Sequence, residues 1–85
     1  MSPTVLSERG FAVRIYLQPR EHGPAHVHVV KDDGEIIIML GDDLSGMEIR
    51  EMFRMREAEA RVALRIVSKH HAELLDAWRR YHGNA

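Results

Sequence analysis

Apolar residues alternate with mostly polar ones in the first part of the chain, a pattern typical of half-buried β-strands. The clearest case spans residues 11–17, where every second residue is apolar. Residues 26–31 and 35–40 are rich in β-branched side chains and flank Asp33 and Gly34. Because an Asp-Gly pair favours the positive φ angles of a tight turn, we predict a β-hairpin here, preceded by one strand.

The position of the turn determines which hairpin residues share a face of the sheet. With Asp33 and Gly34 as the two central turn residues, the expected register places His28 opposite Met39. One face then carries Val27, Val29, Ile38 and Leu40, and the other carries His26, His28, Val30, Ile37 and Met39.

Proline and glycine mark the segments between the strands. Residues 19–25 hold two prolines and a glycine, which predicts a loop that delivers His22 to the edge of the next strand. The turn-rich residues 41–46 end the hairpin. Residues 47–53 fit either a last strand or a first helical turn, and we favour a strand.

The last third of the chain has helical periodicity. Residues 56–82 contain no glycine or proline, and apolar residues recur there at steps of three and four. This stripe includes Leu64, Val67, His71, Leu74, Leu75 and Trp78. The pattern fits one long helix or two helices with a bend near residues 69–72, and the sequence contains no breaker that would decide between them.

These elements predict an α+β fold and a single domain over residues 1–85. We expect a small antiparallel sheet of four to five strands, with the hairpin at its centre, over about residues 4–53. The long C-terminal helix or helix pair, over about residues 56–82, packs on one face of this sheet. The opposite face is left partly uncovered.

Composition narrows the possible functions. The 85 residues include no cysteine, which excludes disulfides and thiolate zinc sites. With 12 Lys and Arg against 13 Asp and Glu, the chain lacks the strong positive charge typical of nucleic-acid-binding domains. No apolar run is long enough to span a membrane, and the N-terminus lacks a signal-peptide pattern, so we expect a cytoplasmic protein without a membrane partner.

Three histidines carry the candidate chemistry. His22, His26 and His28 form an H-x3-H-x-H pattern, and residues i and i+2 of a strand project from the same face. Such a set can hold a zinc-like divalent metal with an open coordination position. Alternatively, one histidine acts as base and another as acid, with Arg14 or Arg20 holding a developing negative charge, as in phosphodiester cleavage.

The interpretation that we favour for the histidines is structural. His26 and His28 then hold the neighbouring loop through hydrogen bonds, with their rings packed on Tyr16 and Met39. The sequence contains neither a nucleophile motif with serine or cysteine nor a glycine-rich phosphate loop. It therefore leaves enzymatic activity open.

Two surfaces are candidate binding sites. The predicted uncovered sheet face carries Tyr16, Val30, Ile37 and Met39, and an apolar patch of this kind typically binds a partner protein. On the helix, basic residues at i, i+4 and i+8 form a strip that is a candidate for nucleic-acid binding. The strip consists of Arg61, Arg65 and Lys69. Because acidic residues lie nearby, a solvated helix face is the more frequent explanation of such a strip.

Three segments together resemble the small bacterial family DUF4160, a domain of unknown function. They are Pro3-Thr4-Val5, the run Glu-His-Gly-Pro-Ala-His-Val-His-Val at 21–29, and His-Ala-Glu-Leu-Leu-Asp-Ala-Trp at 71–78. The family pattern often has a second proline where this chain has Ala25. The resemblance implies an α+β fold and a gene that often neighbours a second small protein, of family DUF2442, in a pair that looks like a toxin-antitoxin module.

The resulting expectation is a component of a two-protein module of the toxin-antitoxin type that acts through protein-protein interaction. Its partners would be a small cognate protein encoded alongside, further copies of the chain, or both. A small ribonuclease or metal-binding hydrolase, using the three histidines, is the first alternative. A nucleic-acid-binding regulator is the second.

Overall fold

The computed structural model describes residues 4–16 and 23–83, which form a five-stranded antiparallel sheet and two helices. The strands are β1 (Thr4–Glu8), β2 (Phe11–Arg14), β3 (His26–Lys31), β4 (Gly34–Met39) and β5 (Glu48–Phe53). The helices are α1 (Glu57–Lys69) and α2 (His71–His82), and a short 3-10 helix, Leu44–Gly46, precedes β5. The predicted α+β class is confirmed, as is the strand proposed for residues 47–53.

The sheet is a meander in which each strand pairs with the next one along the chain. Arg9 and Gly10 connect β1 to β2, and both have positive φ angles of 54° and 83°. Two positive φ values in a two-residue loop match the twist of the flanking strands. The meander leaves β1 at one edge of the sheet and β5 at the other.

The central hairpin turns one residue earlier than predicted. Lys31 pairs with Gly34, so Asp32 and Asp33 occupy the centre of the turn, and Asp32 has the positive φ of 55°. His28 consequently lies opposite Ile37, whereas Met39 was expected. The partner of each residue differs from the predicted one by two positions. Because side chains alternate with a period of two, each side chain stays on its predicted face.

Gly34 does not have a positive φ angle, so the glycine at this position has a different physical reason. A Cβ atom on Gly34 would collide with the backbone carbonyl group of Arg54, which follows β5. The close approach of two backbones requires glycine at this strand position. The Asp-Gly signal was correct for a hairpin, but the glycine accommodates the neighbouring strand.

The C-terminal segment is two helices, with a break at His70. The side chain of His70 contacts Glu73 within α2 and Glu8 of β1, both at 3.1 Å, and Lys69 also contacts Glu8. Hydrogen bonds to Glu73 and then to Glu8 raise the pKa of His70 above its usual 6.5. Bonds from His70 and then from Lys69 lower the pKa of Glu8 below 4.5. This junction fixes the bend that the sequence left open.

The core lies between the helices and one face of the sheet. That face contributes Phe11, Val13, Ile15, Val27, Val29, Ile36, Ile38 and Leu40, and the helices contribute Ala60, Ala63, Ile66, Val67, Leu74, Ala77 and Trp78. Leu64 and Leu75 of the predicted stripe are partly buried against this cluster. His71 is buried as well, and its Nε2 donates to the carbonyl oxygen of Leu40 at 2.7 Å. His71 thus links α2 to the end of the hairpin.

Candidate functional site

A row of five rings runs from the sheet to the end of α2, and we call it the ring row. It consists of Tyr16, His28, His26, Trp78 and His82. Tyr16 stacks on His28 with ring centroids 3.8 Å apart, and His26 meets His28 edge-on at 5.4 Å. Trp78 lies 4.8 Å from His26 and stacks on His82 at 3.8 Å. The rings bury the two strand histidines, which are only 1% and 4% exposed.

His28 forms a hydrogen-bonded pair with Glu35. The Nδ1 atom of His28 lies 2.6 Å from Oε2 of Glu35, and the hydroxyl of Tyr16 donates to the same oxygen at 3.4 Å. Glu35 follows the turn on β4 and lies opposite Val30, diagonally across from His28. A carboxylate on Nδ1 fixes the orientation of an imidazole ring, as in many catalytic and metal-binding histidines. Glu35 was not predicted as a site residue, although its place beside the hairpin turn puts it on the histidine face.

The other two histidines of the ring row bind backbone carbonyl groups. His26 Nδ1 donates to the carbonyl oxygen of Pro24 at 2.9 Å, which ties the end of the preceding loop to β3. His82 Nε2 donates to the carbonyl oxygen of Tyr16 at 2.8 Å and so joins α2 to the segment after β2. The bond of His26 to Pro24 is of the kind that we expected for a structural histidine. We had expected Tyr16 and Met39 to pack on the histidine rings, and the ring of His26 contacts Trp78.

The described part of the chain brings only some of the predicted catalytic residues together. His26 and His28 share a face, as expected, and Arg14 lies directly opposite His28 in the pairing of β2 with β3. The Nε atom of Arg14 is buried and has no hydrogen-bond partner among the described residues. His22, the third proposed metal ligand and catalytic residue, lies outside the described residues, as does Arg20.

The pair of strand histidines offers limited chemistry by itself. Both Nδ1 atoms already hold oxygen partners, so neither Nδ1 is available to a metal or a substrate. Over residues 4–16 and 23–83, no group of three or more histidine and carboxylate side chains is arranged to hold one metal ion. The burial of both rings also separates them from solvent. The metal and catalytic predictions for His26 and His28 stay predictions.

The predicted interface residues lie on the sheet face away from the helices, which we call the open face. Tyr16, Val30, Ile37 and Met39 are all half-buried there. Next to them, Glu35, Ile37, Glu51 and Phe53 line a shallow depression of about 230 Å³. Phe53, at 61% exposure, belongs to this surface but was not predicted, because the alternation within residues 47–53 is weak.

The proposed basic strip on α1 is partly neutralised. Arg61 forms an ion pair with Glu57 at 3.1 Å, and Lys69 forms one with Glu8 at 3.1 Å. Arg65 is exposed on the same helix. Paired cations contribute less to a phosphate-binding field than unpaired ones. The structure thus favours the solvated-face interpretation, and the nucleic-acid prediction stays untested.

A separate cleft of about 630 Å³ lies where α2 meets the loops that flank the hairpin. It is lined by Gly23, Pro24, Ala25, Gly41, Asp42, Leu75, Trp78, Arg79 and Gly83. Among the described residues of this lining there is no predicted catalytic residue, and Trp78 is the one that connects it to the ring row. The cleft is therefore separate from His26 and His28, the described part of the predicted histidine site.

Comparison with known proteins supports the resemblance seen in the sequence. No helix in the described ranges has the length and apolar character needed to cross a membrane. No curated protein and no solved structure matches the chain. One family matches residues 10–79, and its description is Domain of unknown function (DUF4160). Since this match covers most of the 85 residues, the chain belongs to the DUF4160 family.

Proposed function

We propose that this chain is the protein-binding component of a two-protein module of the toxin-antitoxin type, and that it binds its partner with the open face. The observation that carries the proposal is the uncovered apolar surface formed by Val30, Ile37, Met39 and Phe53. These residues belong to three neighbouring strands, and the core that the described helices form with the sheet lies on the opposite face. An apolar surface of this kind on a small protein typically marks a binding site.

Charge and shape indicate which partner chemistry fits the open face. Glu35 and Glu51 flank the depression, and Ile37 and Phe53 supply its apolar lining. Glu48 lies opposite Met39 in the pairing of β4 with β5 and adds a third carboxylate nearby. A partner that inserts an apolar side chain between basic residues would complement this surface. The partner is expected to be the small protein, of family DUF2442, whose gene often lies beside genes of this family.

Co-purification of the chain with the protein encoded beside it tests the proposal. The Ile37→Asp and Met39→Asp variants should lose the partner, because each places a charge in the middle of the apolar surface. Leu44→Asp is the matched control, since Leu44 is an exposed apolar residue of the 3-10 helix before β5. This variant should bind as the unchanged chain does.

Folding must be checked because Ile37 and Met39 are half-buried. Circular dichroism shows whether each variant keeps its secondary structure, and Phe53→Ala provides a change at an exposed position. We expect this variant to keep the fold and to bind at least several-fold more weakly. Unchanged partner binding by folded Ile37→Asp, Met39→Asp and Phe53→Ala variants would rule out the open face as the binding site.

A small ribonuclease is the second candidate function, and the pair of His28 with Glu35 is the observation that favours it. A carboxylate that orients a histidine is a common arrangement in acid-base catalysis, and Arg14 lies opposite His28. RNA cleavage by the purified chain, with and without chelator, should then fall by at least a hundredfold in His28→Ala. Equal, negligible cleavage by both proteins would remove the support for this function.

A further inference from the structure

Strand β5 is an edge strand with all six of its residues exposed. No strand of the described chain pairs with its outer side, so this side presents backbone N–H and C=O groups that another strand can bind. Such edges accept a further strand when the side chains on both sides are compatible. The residues of β5, from Glu48 to Phe53, are therefore the part of the chain best placed to extend the sheet.

A bulge in β5 places two apolar residues on the same face. Ile38 pairs with Ile49 and Ile37 pairs with Glu51, so Arg50 is an extra residue in the ladder. Ile49 and Met52 consequently both follow the helix-side face, although three positions separate them. They are 42% and 47% exposed, because the helices do not reach this edge of the core. The edge therefore ends in an apolar pair that the chain itself leaves uncovered.

We propose that two copies of this chain pair through their β5 strands, antiparallel and related by a twofold axis, to form one continuous sheet. With the axis between Arg50 and Glu51, each Arg50 lies opposite Glu51 of the second copy. In the same register each Ile49 lies opposite Met52 of the second copy. Both copies carry the same bulge at symmetric places, so neither strand has an unpaired residue in this register.

The charges of Arg50 and Glu51 favour this register over the registers that are shifted by one residue. A slip of one residue in one direction places Arg50 opposite Arg50, and a slip in the other direction places Glu51 opposite Glu51. Like charges directly opposite each other destabilise a strand pair, whereas opposite charges stabilise it. Charged residues on an edge strand generally discourage indiscriminate pairing. Here they permit one symmetric pairing and oppose the adjacent ones.

This self-pairing shares Glu51 of β5 with the proposed partner-binding site but depends on different contacts. It involves the backbone edge of β5 and the helix-side residues Ile49 and Met52, whereas the partner is proposed to bind side chains of the open face. The two proposals are also tested by different measurements. Self-pairing is measured on the purified chain alone, without any second protein.

The native mass of the full chain, from light scattering or sedimentation, tests the self-pairing. The unchanged chain should have the mass of a dimer. Arg50→Glu and Glu51→Arg each place like charges opposite each other twice, so each should weaken the dimer by about tenfold or more. The double variant Arg50→Glu with Glu51→Arg restores opposite charges and should recover the dimer.

Matched controls make the result specific to this edge. Arg65→Glu reverses an exposed charge on α1 and should leave the dimer intact. All of these positions are exposed, and circular dichroism confirms that each variant is folded. A monomeric unchanged chain would overturn the proposal. Single variants that stay fully dimeric, or a double variant that stays monomeric, would overturn the β5 register.

Discussion

Two parts of the sheet differ in how they bury residues that are unlike the rest of their strand: the histidine end, where the central strand β3 begins, and the outer edge formed by β5. At the start of β3, His26 and His28 are polar residues within an apolar strand, and they are almost completely buried. At β5, Ile49 and Met52 are apolar residues within a polar strand, and both stay exposed. Burial in this chain therefore follows coverage by neighbouring elements more closely than the polarity of each side chain.

The cover at the histidine end comes from rings and from hydrogen bonds. Trp78 of α2 reaches His26, and Tyr16 stacks on His28, while Pro24 and Glu35 accept hydrogen bonds from the two imidazoles. Buried polar groups are tolerated when such partners are present. At β5 no described element supplies an equivalent cover, which leaves that edge available to another chain.

The largest effect that we expect comes from removing the cover at the histidine end. Trp78→Ala should lower the free energy of unfolding by about 3–5 kcal/mol, because a large buried ring is lost and His26 becomes exposed. Chemical denaturation followed by circular dichroism measures this change. Fluorescence is unsuitable because Trp78 is the only tryptophan in the sequence. If the alanine variant does not fold, Trp78→Phe should show a smaller loss in the same direction.

An exposed aromatic residue on the same helix provides the control. Tyr81 is 44% exposed, so Tyr81→Ala should change the free energy of unfolding by about 0.5 kcal/mol or less. Similar losses for Trp78→Ala and Tyr81→Ala would break the comparison, since they would show that the cover over His26 adds no stability.

A smaller, pH-dependent effect is expected at the junction of β1 with the helices, away from both ends just compared. The raised pKa of His70 means that its contribution is fully present below pH 6.5 and is lost as the pH rises through the higher folded value. The lowered pKa of Glu8 means that its contribution is present above pH 4.5 and is lost as the pH falls through the lower folded value. The junction should therefore stabilise the fold most between these two values.

Thermal unfolding across pH, compared between the unchanged chain and His70→Gln, measures this contribution. The difference in stability should be largest between pH 4.5 and 6.5 and should shrink towards alkaline pH. Because the groups lie near the surface, the effect should also decrease with added salt. A difference that grows above pH 7 would contradict the assigned role of His70.

The hairpin shows which structural features local sequence patterns can predict and which they cannot. Runs of β-branched residues predicted both strands, and the period of two residues assigned Val27, Ile37 and His28 to their correct faces even though the turn was misplaced. The turn itself could not be located from Asp33 and Gly34 alone, because the reason for the glycine is the backbone of Arg54, distant in sequence. The same holds for the break at His70, where the side chain of Glu8 from β1 decides the bend.

The sequence by itself determined the α+β class, the central hairpin, the helical stripe and the shared face of His26 and His28, because these depend on short-range patterns. Only the tertiary structure decided that these histidines are buried, that Glu35 orients His28 and that β5 is an uncovered edge. Those outcomes depend on which distant segment covers each face, namely Trp78 for the histidines and none of the described segments for β5. Such contacts leave no periodic trace in the sequence.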